Sequence, residues 1–221
     1  MLLIDSHLDL AWSAIDWDRN LDLEVEAIRE VERARLAATR GDSGVPQIMR
    51  SGWTPKPGAG RNTLSLPELR AAEAAVTCAT VLDRTAHPHS PAAGSACQEL
   101  SYAKAQGQLA YYRVLQAQGK VQLIGDTAAL DVLWKRWEDG DATAPLGFIL
   151  SMEGADPIVT PEQVHSWWQD GLRVVSLCHY GASAYAYGTT TEGGVTDLGL
   201  ALLKEMRACG MILDLSHLAE Q

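Results

Sequence analysis

Short apolar runs alternate with amphipathic, helix-like segments along the 221 residues of the chain. Six of these runs predict buried parallel strands, because a strand that is covered on both faces reads as a nearly continuous hydrophobic run. The predicted strands are Leu2–Asp5, Ala75–Leu82, Val121–Ile124, Gly147–Met152, Arg173–Cys178 and Met211–Leu215. Their alternation with helical segments is typical of βαβ units, and so of an α/β fold.

The segments between the strands carry helix signals. The predicted helices are Leu23–Thr39, Gln98–Gln118, Glu162–Asp170 and Thr196–Cys209. Pro161 stands at the start of the third helix and Gly210 directly follows the fourth, which are the favoured places for these residues. Two stretches rich in proline and glycine, Gly41–Asn62 and His87–Gly94, predict surface loops.

This order of elements predicts a TIM-like (β/α)₈ barrel of the kind found in metal-dependent hydrolases. A closed barrel has eight strands and typically ~250 residues. The chain offers about six βα units before it stops at Gln221. We therefore expect residues 1–221 to form a single, incomplete β/α-barrel domain.

Residues that can bind a metal follow several of the apolar runs. His7 and Asp9 come directly after the first run, Glu153 follows Phe148–Met152, and His217 follows the last run. Successive residues of a strand alternate between its faces, so His7 and Asp9 are predicted to point the same way. Imidazole nitrogen and carboxylate oxygen are ligands that zinc accepts, and ligands of barrels gather at the carboxyl ends of strands.

His179 follows the fifth run and precedes a stretch of small and aromatic residues, Tyr180–Gly188, that could shape a pocket. Taken alone, each of these residues also has an ordinary interpretation, as a solvated carboxylate or a structural histidine. Asp156 is assigned a structural role. The remaining histidines, His87, His89 and His165, are interpreted as surface or packing residues.

Composition excludes several classes of function. The net charge of −10 argues against nucleic acid and against anionic membrane surfaces. The chain has neither a run of roughly 20 apolar residues nor a signal peptide, so a cytoplasmic setting is expected. Its four cysteines form no CxxC pair, which favours reduced thiols over a zinc ribbon. The phosphate-binding GxxxxGK[ST] motif and the serine-hydrolase GxSxG motif are both missing from the sequence.

The motifs, taken in order, resemble those of the membrane dipeptidase (renal dipeptidase) family of zinc peptidases, within the amidohydrolase superfamily. The variants are similar to those of its bacterial branch. The segments that carry the resemblance run through nearly the whole chain: Asp5–Leu10, Ser151–Gly154, Gly171–Tyr180, Thr196–Gly199 and Glu205–His217.

The resemblance implies a dipeptidase that uses two zinc ions and a hydroxide bridging them to hydrolyse the peptide bond. By position, His7 and Asp9 match the ligands of one zinc, and His217 matches a ligand of the second. Glu153 matches the carboxylate shared by both. His179 matches the catalytic histidine that contacts the substrate near the scissile carbonyl, where it would be protonated.

The family's next zinc histidine and its acid/base aspartate have no match up to Gln221, which implies that the isolated chain is inactive. Two alternatives stay open. One is a binuclear amidohydrolase that acts on another amide, an ester or a lactone. The other is an inactive fragment or relative that binds one zinc weakly and serves as a scaffold. We expect a small-molecule partner, with a homodimer as the candidate assembly.

Overall fold

The computed structural model of the protein describes residues 1–40, 56–87 and 93–220. Most of the first predicted loop and the middle of the second, with His89, lie outside these residues. The elements are, in chain order, β1 (Leu3–Leu8), α1 (Leu10–Trp17), α2 (Val25–Arg40), α3 (Leu66–Ala71), β2 (Ala74–Val81), α4 (Gln98–Ala117), β3 (Val121–Leu123), α5 (Thr127–Glu138), β4 (Leu146–Met152), α6 (Val164–Gln169), β5 (Leu172–Ser176), α7 (Asp197–Cys209) and β6 (Ile212–Asp214). A short 3₁₀ turn, Pro161–Gln163, precedes α6.

All six predicted strands are present, with different ends. β1 extends to Leu8, three residues beyond its predicted end, and carries His7 inside the strand. The prediction missed helices α1, α3 and α5. Asp126 offered a signal for α5, because its carboxylate caps that helix by accepting a hydrogen bond from the backbone N–H of Ala129.

The strands form one parallel six-stranded sheet, in which β1, β2, β4, β5 and β6 are neighbours in that order. With helices between the strands, this is the half-barrel expected of an incomplete TIM-like barrel. Its two outer strands expose apolar side chains, with Ile4 61% and Ile212 59% accessible to solvent. Because the strands are parallel, their carboxyl ends all lie at the same edge of the sheet.

The sheet departs from a regular barrel at β3, which does not separate β2 from β4. β2 pairs directly with one side of β4. The short β3 pairs with the start of β4, and β5 pairs with its end. Gly147 permits this arrangement, since a Cβ there would lie only 2.6 Å from the side chain of Leu133 and 2.7 Å from that of Ile124.

The main hydrophobic core lies between the sheet and its helices. The largest fully buried side chains include Trp167, Tyr112, Tyr185 and Phe148. Tyr112 of α4 packs edge-to-face on Phe148 of β4, with ring centroids 5.6 Å apart. This packing holds α4 against β4, the strand that Glu153 follows. In the described part of the chain, every helix is too short or too polar to cross a membrane.

Candidate metal centre

Five predicted site residues meet at the carboxyl edge of the sheet. The Nε2 atoms of His7, His179 and His217 lie 3.5, 3.4 and 3.4 Å from the same oxygen, Oε1 of Glu153. Two sets of ligand atoms share that carboxylate: His7, Asp9 and Glu153 form one, and Glu153, His179 and His217 form the other. Imidazole nitrogens and carboxylate oxygens in this proportion fit zinc.

The corner between β1 and α1 places the first pair by a different route from the one predicted. The strand ends at Leu8, so Asp9 is not an extended residue but the one that precedes α1. Even so, Oδ1 of Asp9 lies 3.5 Å from Nε2 of His7. The prediction that the two side chains lie together is thus met, whereas its reason, strand alternation, is wrong.

Buried polar groups of other elements hold this corner. The hydroxyl of Thr80, in β2, donates to Oδ1 of Asp9. The hydroxyl of Tyr112 donates to the carbonyl oxygen of Thr80 over 2.7 Å and accepts from the backbone N–H of Ala11 over 3.0 Å. Tyr112 therefore ties β2 to the first turn of α1, directly after Asp9.

Glu153 follows β4 and is held at the sheet edge by its backbone. Its N–H donates to the carbonyl oxygen of Val81, at the end of β2. The next residue, Gly154, has φ +86°, a conformation that other residues rarely adopt. Its N–H donates to the hydroxyl of Ser176. The tight turn leaves the carboxylate pointing into the cluster rather than into solvent.

The carboxylate of Glu153 is buried, with only 8% of the residue exposed. Burial, followed by the negative charge of Asp9, raises the pKa of Glu153 from 4.5 to about 7. A buried carboxylate near another one is costly to ionise unless a cation compensates it. This charge balance is a physical reason to expect a metal ion here.

His179 is held by a residue that the sequence interpretation missed. Nη1 of Arg84, just beyond β2, lies 2.9 Å from Nδ1 of His179. Burial, followed by the charge of Arg84, lowers the pKa of His179 from 6.5 to about 4. Burial and the facing cation both favour the neutral ring, so they act against the protonated state expected for His179, which stays a prediction.

His217 has a different partner and an unusual backbone. It lies past β6 with φ +66°, in the left-handed region that is rare for residues other than glycine. Its Nδ1 lies 2.9 Å from the hydroxyl oxygen of Thr189. Burial, followed by the charge of His7, lowers the pKa of His217. The rings of His179 and His217 meet edge-to-face, with centroids 4.5 Å apart.

The cluster opens into a cavity of about 490 Å³. Besides the metal-type residues, side chains of β1, β5 and β6 line this cavity. Its walls are Ser6, His7, Glu153, Val174, Ile212, Asp214, Ser216 and His217. Apart from Val174 and Ile212 these lining residues are polar or titratable, which suits a small polar molecule.

Other predicted residues lie elsewhere. His165 pairs with Glu205 of α7, their atoms 2.9 Å apart, and so joins two helices. Asp156 accepts from the backbone N–H groups of Thr85 and Ala184, which agrees with its assigned structural role. The sequence carried a signal for Arg84, because this residue lies only two positions after the strand predicted over Ala75–Leu82.

The sequence of the whole chain, residues 1–221, matches the family model described as membrane dipeptidase (peptidase family M19). The chain belongs to this family. No curated protein matches the chain.

Three solved structures illustrate the likeness. The dipeptidase AC, a metallopeptidase of family M19, superposes with a TM-score of 0.64 and 18% identity, over 100% of this chain and 57% of its own. The probable dipeptidase PvdM from Pseudomonas aeruginosa gives 0.64 and 14%, over 99% and 47%. An amidohydrolase from Pseudomonas aeruginosa gives 0.55 and 18%, over 71% and 42%. At these identities the likeness establishes the fold, and the chain spans about half the length of each structure.

Proposed function

We propose that this chain forms the metal-binding part of a zinc-dependent dipeptidase, as one barrel-type metallohydrolase domain. The observation that carries the proposal is the convergence of three imidazoles on Oε1 of Glu153, within 3.5 Å. The imidazoles come from β1, from the segment after β5 and from the segment after β6, and the buried carboxylate that they surround follows β4. Membership of a peptidase family supports hydrolysis of a peptide bond as the reaction.

The surroundings of each residue indicate the role that it would have. His7 and Asp9 would hold one zinc, His217 the second, and Glu153 both. When bound, zinc lowers the pKa of a coordinated water and polarises a carbonyl group. His179, neutral and the most buried of the three histidines, would donate a hydrogen bond to the carbonyl oxygen of the substrate, a stabilisation typically worth a few kcal/mol.

The test combines zinc content with hydrolysis. The purified chain is stripped of metal, reconstituted with Zn²⁺ and assayed on a panel of dipeptides, with E153Q as the matched variant. Zinc-dependent hydrolysis that E153Q abolishes would support the proposal. Hydrolysis that persists in chelator, or a chain that binds no zinc, would refute it.

Two further results would redirect the assignment rather than support it. Zinc-dependent turnover of an ester, a lactone or another amide, without dipeptide hydrolysis, would favour the wider amidohydrolase chemistry. Glu153-dependent zinc binding without any turnover would favour a metal-binding relative that is inactive at this length. The cytoplasmic setting, the homodimer and the lack of nucleic-acid binding remain predictions that separate measurements must test.

A further inference from the structure

The guanidinium of Arg84 fixes where the proton of His179 lies. Nη1 of Arg84 lies 2.9 Å from Nδ1 of His179. A guanidinium donates hydrogen bonds and cannot accept them. Nδ1 must therefore be the acceptor, so the neutral imidazole carries its proton on Nε2. That nitrogen points at Oε1 of Glu153, 3.4 Å away.

This arrangement is the reverse of what a metal-binding histidine requires. The ligand nitrogen of such a histidine must be free of its proton, and the other nitrogen donates its N–H to a carboxylate, carbonyl or water. His217 fits that pattern, because its Nδ1 faces the hydroxyl of Thr189, which can accept. His179 and His217, whose rings are in contact, thus present different nitrogens to the cluster: His179 a protonated one that can donate a hydrogen bond, His217 an unprotonated one that can bind a metal.

The segment that carries Arg84 is rigid enough to impose this state. The carbonyl oxygen of Arg84 accepts from the backbone N–H of Ser95 over 2.7 Å, and the N–H of Ala86 donates back to Ser95 over the same distance. The N–H of Thr85 donates to the buried carboxylate of Asp156 over 2.7 Å. With the backbone held at Arg84 and at the two residues that follow it, its donor is preorganised toward His179.

We propose that Arg84 is a positioning residue: it holds His179 in the Nε2–H tautomer, which keeps this histidine off the metal and makes it a hydrogen-bond donor. The part that concerns a substrate carbonyl rests on the proposed dipeptidase function. The tautomer itself does not, since it follows from contacts within the metal-free chain.

Nitrogen-15 NMR of the metal-free chain, labelled at histidine and held near pH 8, tests the tautomer directly. His179→Gln identifies the signals of His179. Wild-type His179 is expected to carry its proton on Nε2, with Nδ1 unprotonated. A wild-type spectrum with the proton on Nδ1 would overturn the proposal without any variant.

Substitutions of Arg84 then test the cause. Arg84→Met keeps an unbranched stem and removes the donors, so a population protonated at Nδ1 should appear, whereas Arg84→Lys, which keeps a donor, should retain the wild-type tautomer. Arg113→Met removes an arginine of the exposed pair with Asp170 and should leave His179 unchanged. If Arg84→Met folds, by circular dichroism, and leaves the tautomer unchanged, Arg84 does not set it.

Zinc titration followed by the same spectra provides the second readout. In the wild-type chain, His179 should keep its Nε2 proton after Zn²⁺ is added, while the signals of His217 shift. Coordination of His179 by zinc in the wild type would refute the proposal. For any dipeptide that the chain hydrolyses, Arg84→Met should lower kcat more than it raises KM. A rise in KM alone, with the tautomer intact, would instead make Arg84 a binding group for the substrate carboxylate and contradict the positioning role.

Discussion

Nε2 of His7 lies 3.5 Å from Oε1 of Glu153, although one residue belongs to the first strand and the other follows the fourth. β1 and β4 are not neighbours, because β2 lies between them. The contact exists because parallel strands end at one edge, where their last side chains lean over the same opening. It makes Glu153 the centre of the cluster and His7 its most exposed histidine.

Loss of His7 should empty the first set of ligands. In His7→Asn, zinc affinity is expected to fall by more than the roughly 10–100-fold that follows the loss of an outer hydrogen-bond partner. Equilibrium dialysis against Zn²⁺ measures it. His165→Asn is the matched control, since His165 pairs with Glu205 away from the cluster. Equal affinities for the two variants would remove His7 from the site.

Thr189→Val should weaken the metal held through His217. Valine keeps the shape of threonine but cannot accept the Nδ1 proton, so the ring loses the partner that orients it. We expect a fall in zinc affinity of roughly 10–100-fold. Competition with a chromophoric chelator checks this. An unchanged affinity, with the fold intact by circular dichroism, would mean that Thr189 does not orient His217.

The metal-free chain should lose stability relative to E153Q as the pH rises from about 5 to about 8. The pKa of Glu153 is raised in the folded state from 4.5 to about 7. Its contribution to stability is therefore full below the unfolded value and is lost as pH rises through the folded one. Glutamine keeps the shape and cannot ionise.

Urea unfolding in the presence of chelator gives the two free energies of unfolding. The pKa of His179 is lowered to about 4, so its contribution runs the other way and is lost on acidification from its ordinary value of 6.5. Because both proteins contain His179, the difference between them reports the carboxylate of Glu153 together with its interaction with the neighbouring histidines. A difference that stays constant over this range would show that the carboxylate is not buried as described.

Tyr112→Phe should destabilise the fold by about 1–3 kcal/mol. The change leaves the N–H of the fully buried Ala11 without its acceptor and removes a donor to Thr80. Tyr111→Phe is the control, because no hydrogen bond of the Tyr111 hydroxyl is found in the described residues. Chemical denaturation compares the pair, and similar losses in both variants would contradict the role given to Tyr112.

Gly154→Ala should cost about 1–2 kcal/mol, because an alanine must adopt φ +86° there. Space is not the obstacle, since a Cβ would lie 3.6 Å from Cβ of His179. Gly107→Ala is the opposite control. It lies within α4 with nothing within 4 Å of an added Cβ, and should stabilise by roughly 0.5–1 kcal/mol. Thermal melts of both variants should therefore shift in opposite directions.

The strands, and the sheet edge that holds their carboxyl ends, were predictable because buried parallel strands appear in the sequence as apolar runs. Glu153 directly follows such a run and His217 comes two residues after another, so their position could be predicted without coordinates. Asp9 was placed near His7 for the wrong reason, because no local pattern distinguished one more extended residue from the start of α1. Of the three missed helices, α1 and α3 are short and have no side-chain cap hydrogen bond, whereas α5 carried its signal in Asp126.

The supporting contacts were not predictable. Arg84 and His179 belong to different βα units, and nothing in either segment specifies that a guanidinium will face Nδ1 rather than Nε2. The direct pairing of β2 with β4 likewise depends on the packing of Leu133 and Ile124 over Gly147. These contacts form only when the elements pack against one another, and they determine protonation states that a sequence motif does not specify.

The hydroxyl of Tyr112 binds the corner between β1 and α1 from α4, a helix that contributes no candidate ligand. If the strand-end residues were transferred to another scaffold, this phenol would be missing. The transferred aspartate would then lose the hydrogen bond that holds the backbone just after it. A useful inventory of such a centre must therefore extend to side chains on α4. Substitutions on α4 therefore offer a way to make the candidate metal site more or less rigid without changing a residue that lines the cavity.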